Sequence, residues 1–245
     1  VAPRRKAPID PAVLATMPVC AGMDEAGRGP VMGPIVMAGV ASAEPKLFKR
    51  LGCTDSKLLS PDRRNALDRA LRAESSVRIE VRVVDADVLD AERREGTSLN
   101  VIEMRRFQDI ARTLAPHKAW IDAADVNEAR FGRELATALP PGTEVVSQHG
   151  ADLKFPIVGA ASIVAKVARD KAIAELARRL ERKLNLPLGS GYASDPLTQA
   201  FLKAYWAEFR ELPEGTRTTW ATARDLVAPK QLGLDVFTAP PEATL

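Results

Sequence analysis

The sequence predicts an α/β protein: a five-stranded mixed sheet flanked by helices, followed by a helical C-terminal extension. Three observations carry this. Five short apolar runs read as strands, the first two joined by a glycine-rich turn with no room for a crossover helix, which makes them antiparallel neighbours. The later runs are separated by amphipathic helical stretches, the pattern that builds parallel pairs. Beyond Pro187 strand patterns cease and two further helical segments follow.

Residues 1–18 contain Pro3, Pro8, Pro11 and Pro18 with the basic cluster Arg4-Arg5-Lys6, and are expected to form a flexible arm. Strands are expected at 19–24 and 31–42. Between them, Gly22–Pro34 reads Gly-Met-Asp-Glu-Ala-Gly-Arg-Gly-Pro-Val-Met-Gly-Pro. Side chains alternate along a strand, so Asp24 and Glu25 share a direction only if the strand ends at Asp24 and Glu25 lies in the turn. Gly27 and Gly29 admit close approach of a ligand to the backbone, and Arg28 offers a forked donor. An ordinary turn with exposed charges has the same residue types.

Ser60-Pro61 caps a helix to about Ala73. Val77, Ile79, Val81 and Val83 alternate with Arg78, Glu80 and Arg82, the mark of a strand with one wet face. A helix over Ala86–Glu95 stops at Gly96. The next carries the stripe Leu99, Ile102, Phe107, Ile110, Leu114. A strand at Lys118–Ile121 ends at Asp122. A helix over Glu128–Leu139 meets Pro140-Pro141-Gly142, and a fifth strand follows at Thr143–Ser147. Asp152 falls in the loop 148–156, and a long helix runs from Ile157 to Leu184. Helices at Pro196–Phe209 and Thr219–Val227 complete the extension. The domain plan is thus an arm at 1–18, an α/β domain at 19–186, an extension at 187–228 and a tail at 229–245.

At 245 residues the chain is long enough to bury a substantial core. Its 35 basic and 32 acidic residues leave a net charge of +3, so any basic surface is local. Cys20 and Cys53 form no Cys-x-x-Cys spacing, which fits a reducing compartment without structural zinc. No apolar run reaches the ~18 residues of a membrane span. A soluble, cytoplasmic protein without a membrane partner is expected.

Asp24, Glu25, Asp122 and Asp152 all fall at or just past strand ends. If those strands adjoin, the result is an oxygen-only cluster suited to Mg²⁺ or Mn²⁺; with only His117 and His149 present, a histidine-based site is disfavoured. Two such cations about 3.5–4 Å apart serve in-line phosphodiester displacement. Arg28, Lys57, Lys166 and Arg169 would then hold phosphates. Taken singly, Asp122 and Asp152 are equally suited to caps or turns, and Lys166 to an i, i+4 pair with Asp170.

The segment Asp-Glu-Ala-Gly-Arg-Gly-Pro at 24–30 resembles the opening motif of the type 2 ribonucleases H, the ribonuclease HII family. The resemblance continues through Asp55-Ser56-Lys57-Leu58, Gly96-Thr97-Ser98-Leu99-Asn100, Asp122-Ala123-Ala124-Asp125-Val126 and His149-x-Ala151-Asp152. It then runs through Ile157-Val158-Gly159-Ala160-Ala161-Ser162-Ile163-Val164-Ala165-Lys166-Val167-x-Arg169-Asp170, and Gly189-Ser190-Gly191-Tyr192-x-Ser194-Asp195-Pro196. These blocks stand in family order over roughly 19–226, with wording nearest the archaeal branch.

The resemblance implies a ribonuclease H-like fold with Asp24, Glu25, Asp122 and Asp152 as catalytic ligands of Mg²⁺ or Mn²⁺. It implies that Gly27, Arg28 and Gly29 contact the sugar-phosphate around a 2′-hydroxyl, and that Tyr192 packs on the neighbouring nucleotide. Lys57, Asn100, Lys166 and Arg169 complete the expected substrate contacts. The substrates implied are RNA·DNA hybrids and duplex DNA with embedded ribonucleotides, cut on the 5′ side of the ribonucleotide to leave 3′-hydroxyl and 5′-phosphate ends. Where many relatives read His-Lys-Ala-Asp, this chain has His149-Gly150-Ala151-Asp152. Type 3 relatives usually lack the glycine-arginine-glycine turn and carry a further N-terminal domain, which disfavours that type. A hybrid-binding protein without activity and a different two-metal nuclease are the competing readings. The four retained carboxylates argue against the first, and the turn with Tyr192 against the second. In the tail, Gln231, Leu234 and Phe237 resemble a sliding-clamp-binding peptide, with Thr238 at the usual second aromatic. A monomer is expected.

Overall fold

The computed structural model describes residues 17–228. Most of the arm expected at 1–18, and the whole peptide Gln231, Leu234, Phe237, lie outside the described residues.

Strands β1 (Cys20–Ala26), β2 (Ile35–Ser42), β3 (Val77–Val84), β4 (Lys118–Asp122) and β5 (Glu144–Gln148) form one sheet in the order β3-β2-β1-β4-β5. β1 lies at its centre, antiparallel to β2 and parallel to β4. β2 and β3 pair antiparallel, β4 and β5 parallel, so the sheet is mixed as the connections predict. The remaining elements are α1 (Lys46–Leu51), a 3₁₀ turn (Ser56–Leu58), α2 (Pro61–Ala73), α3 (Ala86–Arg94), α4 (Leu99–Leu114), α5 (Glu128–Ala136), α6 (Ala151–Lys154), α7 (Pro156–Leu184), α8 (Pro196–Phe209) and α9 (Ala221–Val227).

Each sheet face has its own core. Ala21, Met23, Ile35, Met37 and Ile121 pack under α4 and α5 through Ile102, Phe107, Ile110, Phe131 and Leu135. Ala26, Val36, Ala38 and Val40 pack under α2 and α7 through Leu67, Leu71, Val158, Ala161 and Val164. Gly22 lets α7 lie directly on β1, because a Cβ there would overlap the Ile157 backbone. A third cluster joins the second half of α7 to the extension: Val31, Met32, Ile173, Leu176, Leu180, Phe201, Leu202 and Tyr205.

Several boundaries differ from expectation. β1 does not end at Asp24, because Glu25 and Ala26 still pair with Met37 and Val36 of β2. β2 starts at Ile35, not 31: the Val31 and Met32 N–H groups donate to Gly191 O at 2.9 and 3.1 Å, and that of Gly33 to Gly215 O at 2.8 Å. Those backbone groups serve the extension, leaving none for β3. α5 ends at Ala136 instead of Leu139, since Ala138 and Leu139 make tightened i→i−3 bonds ahead of Pro140-Pro141. On β3, Val77, Ile79 and Val81 share the α2/α7 face, but Val83 is 52% exposed and Val84 is buried on the opposite face. Asp152 lies in the short helix α6 and not in a loop. Among the described residues no helix is long and apolar enough to cross a membrane.

Candidate active site

Parallel pairing of β1 with β4 puts their carboxyl ends side by side. Met23 is in register with Ile121, so Asp24 and Asp122 follow as neighbours. Beyond β5, Gly150 adopts φ 62° and turns the chain into α6, which carries Asp152. Asp122 secures that return, its Oδ1 accepting from the Ala151 N–H at 3.0 Å. The outcome is a group of three carboxylates, Asp24, Asp122 and Asp152, each with an oxygen within 4.8 Å of the others.

Glu25 does not join that group. It lies inside β1 and faces the α4 side, where Glu103 and Arg28 are its neighbours; Asp122 remains close enough to repel it. Its Oε2 is buried without a hydrogen-bond partner.

Like charges under burial shape the site. Burial, then Glu25 and Asp122, hold the Asp24 carboxyl well above its ordinary range, while the Ser162 hydroxyl works the other way. Ser162 comes from α7 and sits 2.9 Å from Ser56 Oγ. Burial, Asp122 and Asp55 raise Asp152. Burial and Glu103 push Glu25 up to about 8. Burial would lower the Lys57 ammonium, but Asp55, Asp152, Asp24 and Asp122 outweigh it and leave it raised. A compact, oxygen-only set with a buried orphan oxygen beside it fits a hard divalent cation, which would relieve the repulsion and favour ionised carboxylates.

The adjacent turn is built from both ends of the chain. Gly27 has φ 93°, and a Cβ there would lie 2.6 Å from Arg169 Cδ and 2.7 Å from Pro34 O. Arg28 turns inward, paired with the fully buried Glu103 and bonded to Asn100 Oδ1 at 2.5 Å. Asn100 in turn donates to Asp125 Oδ2 at 2.9 Å. Arg28 and Asn100 therefore hold each other, where substrate contact alone was expected. Arg169 is only 1% exposed; it donates to Ser190 O at 3.0 Å and lies 5.0 Å beneath the Tyr192 ring. Burial places it behind the turn instead of on a phosphate-facing surface. Lys166 bonds Asp170 at 2.5 Å, the i, i+4 pair that the sequence allowed. Tyr192 is part-exposed and stands over Gly29, where a Cβ would meet Tyr192 Cε1 at 3.9 Å, ordinary van der Waals contact.

Two residues escaped the sequence reading. Glu103 interrupts the apolar stripe of α4 between Leu99 and Phe107, and a glutamate on a buried stripe is a readable signal. Arg217 is fully buried and donates to the carbonyls of Gly27, Arg28 and Gly33. Nothing in its local sequence marks it.

The fold and site define an α/β protein of the ribonuclease H-like class with an acidic cluster at the carboxyl ends of its central parallel strands. The family model "Ribonuclease HII" matches residues 21–223. A ribonuclease HII of Methanocella arvoryzae is 40% identical over 209 residues, covering 84% of this chain and 91% of that protein. The ribonuclease H2 of Pyrococcus horikoshii OT3 superposes with a TM-score of 0.76 at 34% identity, over 85% of this chain and 97% of that one. The ribonuclease HII in a solved complex with PCNA from Archaeoglobus fulgidus gives 0.72 at 42% identity, over 82% and 95%. This chain belongs to the ribonuclease HII family, on its archaeal side.

Proposed function

We propose that the chain is a metal-dependent endoribonuclease acting on the RNA strand of RNA·DNA hybrids and on ribonucleotides embedded in duplex DNA. The observation that carries this is the juxtaposition of the Asp24, Asp122, Asp152 cluster with the Gly27–Gly29 turn and Tyr192.

Asp24, Asp122, Asp152 and Glu25 would hold Mg²⁺ or Mn²⁺. When bound, such ions activate water and stabilise the leaving oxygen of an in-line displacement. Water adds its oxygen to phosphorus, the P–O3′ bond breaks on the 5′ side of the ribonucleotide, and the 3′-oxygen leaves protonated. The ends are a 3′-hydroxyl and a 5′-phosphate. Lys57, beside Asp152, orients the phosphate. Backbone groups of Gly27, Arg28 and Gly29 meet the 2′-hydroxyl, the group that separates RNA from DNA. Tyr192 covers the adjoining sugar, with Arg169 bracing it from below. Asn100 and Lys166 line the approach.

The same reading takes residues 19–186 as the catalytic unit and 187–228 as an extension that completes the turn. It takes the protein as a cytoplasmic monomer whose tail, through Gln231, Leu234 and Phe237, binds a sliding clamp; the PCNA complex of the Archaeoglobus fulgidus relative supports that partner.

The test is a DNA duplex with one ribonucleotide, incubated with Mg²⁺ and then with EDTA, beside an all-DNA duplex and an Asp152→Asn variant. One metal-dependent cut 5′ to the ribonucleotide, absent from both controls, is expected. No cleavage of this duplex or of a long hybrid, with either Mg²⁺ or Mn²⁺ and folded protein, would overturn the reading.

A further inference from the structure

The geometry points to Arg217 as a positioning residue: the C-terminal extension sets the peptide planes of the Gly27–Gly29 turn, and through them the discrimination of ribose from deoxyribose. Arg217 Nη2 donates to Gly27 O at 2.6 Å, Nη1 to Arg28 O at 3.1 Å and Nε to Gly33 O at 2.8 Å. Its own N–H donates to Val31 O at 2.8 Å. One rigid fork thus gathers carbonyls from both ends of the turn.

The consequence follows from peptide geometry. A trans peptide points its N–H opposite its C=O, and the described residues contain no cis bond. Drawing the carbonyls of Gly27 and Arg28 inward to Arg217 turns the N–H groups of Arg28 and Gly29 outward. Among the described residues neither N–H donates to a protein acceptor. Two adjacent donors are thus left without a protein acceptor on the side of the turn away from Arg217, and Tyr192 packs close to Gly29.

The fork is itself held. Arg217 is fully buried, with its guanidinium 4.9 Å from the Trp220 ring centre. The Asp90 carboxylate accepts from the N–H and hydroxyl of Thr218, both at 2.6 Å, and from the N–H and hydroxyl of Thr219 at 3.1 and 2.6 Å. A lysine at 217 supplies one nitrogen on a flexible stem and cannot span three carbonyls.

This inference rests on the ribonuclease reading above, and its test separates the two. Wild type, Arg217→Lys and Asp90→Asn are compared in kcat and KM on a duplex with one embedded ribonucleotide and on a continuous hybrid. Cleavage of all-DNA duplex, Mn²⁺ affinity and melting temperature are measured alongside. Expected for Arg217→Lys is a KM raised about tenfold on the embedded ribonucleotide, more than on the hybrid, with Mn²⁺ affinity unchanged. Asp90→Asn should shift the same parameters less. A purely structural arginine would lower the active fraction, and hence kcat, alike on both substrates. Folded Arg217→Lys with wild-type KM values would overturn the role of Arg217. Should Arg217→Lys not fold, Asp90→Asn decides: a raised KM supports the role and an unchanged one overturns it. Wild type that cuts neither substrate would instead overturn the ribonuclease reading, and this inference with it.

Discussion

Asp24 and Glu25 are consecutive in β1 and project to opposite faces of the sheet: Asp24 toward α7 and Ser162, Glu25 toward α4 and Glu103. The pair therefore serves two environments at one strand end. Asp122, at the end of the neighbouring parallel strand, repels both, so ionising one of these acids opposes ionising the next.

Stability without metal should fall as pH rises. Burial and Glu103 lift the Glu25 pKa from an ordinary 4.5 to about 8, so the folded state binds more protons than the unfolded state between those limits. Under linkage, the stability tied to Glu25 is fully present below about 4.5 and is lost as pH climbs through about 8. Asp24, also raised, acts in the same direction. Melting temperatures in EDTA from pH 5 to 9 check this, with Glu25→Gln as the reference. The wild-type curve should drop relative to the variant, and saturating Mn²⁺ should remove the drop. Parallel curves in EDTA would contradict it.

Asp24→Asn should separate folding from function. Amide replaces carboxyl at nearly constant volume and removes a charge that burial and Asp122 disfavour, so the metal-free variant should melt no lower than wild type. Cleavage should fall roughly a thousandfold or more, about 4 kcal/mol of transition-state stabilisation. Calorimetry with Mn²⁺ should show weakened binding. Retained cleavage would remove Asp24 from the site.

Much of this was legible in advance, because it lies in local patterns. Strand alternation and the order of connections give a mixed sheet, and Asp24 beside Asp122 follows from the pairing of their strands, whereas Asp152, expected in a loop, comes from a short helix. What was not legible depends on contacts between distant segments. β1 runs on through Glu25 because β2 reaches that far to pair, and residues 31–33 leave β2 because Gly191 and Gly215 claim their N–H groups. Arg169 reads as a polar position on a helix face; the Gly27 turn and the extension, packing over it, make it buried. Arg217 acts on residues 184 or more positions away, beyond any periodicity.

Gly27→Ala should damage the turn more than its single methyl suggests. The residue would sit at φ 93° with its Cβ 2.7 Å from the Pro34 carbonyl, which is backbone and cannot swing aside. A cost of about 1–3 kcal/mol is expected from the conformation alone. The melting temperature should fall, and cleavage at an embedded ribonucleotide should fall further than Mn²⁺ affinity. Equal loss of both would place the damage in the carboxylate cluster.

Tyr192→Ala should weigh on a single ribonucleotide more than on a long hybrid. The ring is 37% exposed, lies close to Gly29 and has buried Arg169 beneath it, which places it where the proposed reading puts the sugar. A long hybrid offers other registers and more contacts along the strand; one embedded ribonucleotide offers a single position. A loss of kcat/KM about tenfold greater on the embedded substrate is expected, with Tyr192→Phe close to wild type. Equal losses on the two substrates would reduce Tyr192 to general duplex binding.

Phe237→Ala should release a sliding clamp without touching the chemistry. Gln231, Leu234 and Phe237 recur every third residue in the sequence, a spacing that, in a helical turn formed on a clamp, would set two apolar side chains on one side. With Thr238 in place of a second aromatic, the proposed peptide would have Phe237 as its single large anchor, and such anchors carry most of an interface's binding energy. Truncating it should cost about 2 kcal/mol or more, roughly thirtyfold in clamp affinity. Cleavage of a short duplex without clamp should be unchanged, since every residue proposed for that reaction lies before the tail. Pull-down and calorimetry against an archaeal clamp measure the first quantity, and a cleavage assay the second. Equal retention of variant and wild type on the clamp would sink the assignment of the tail and leave the active site untouched.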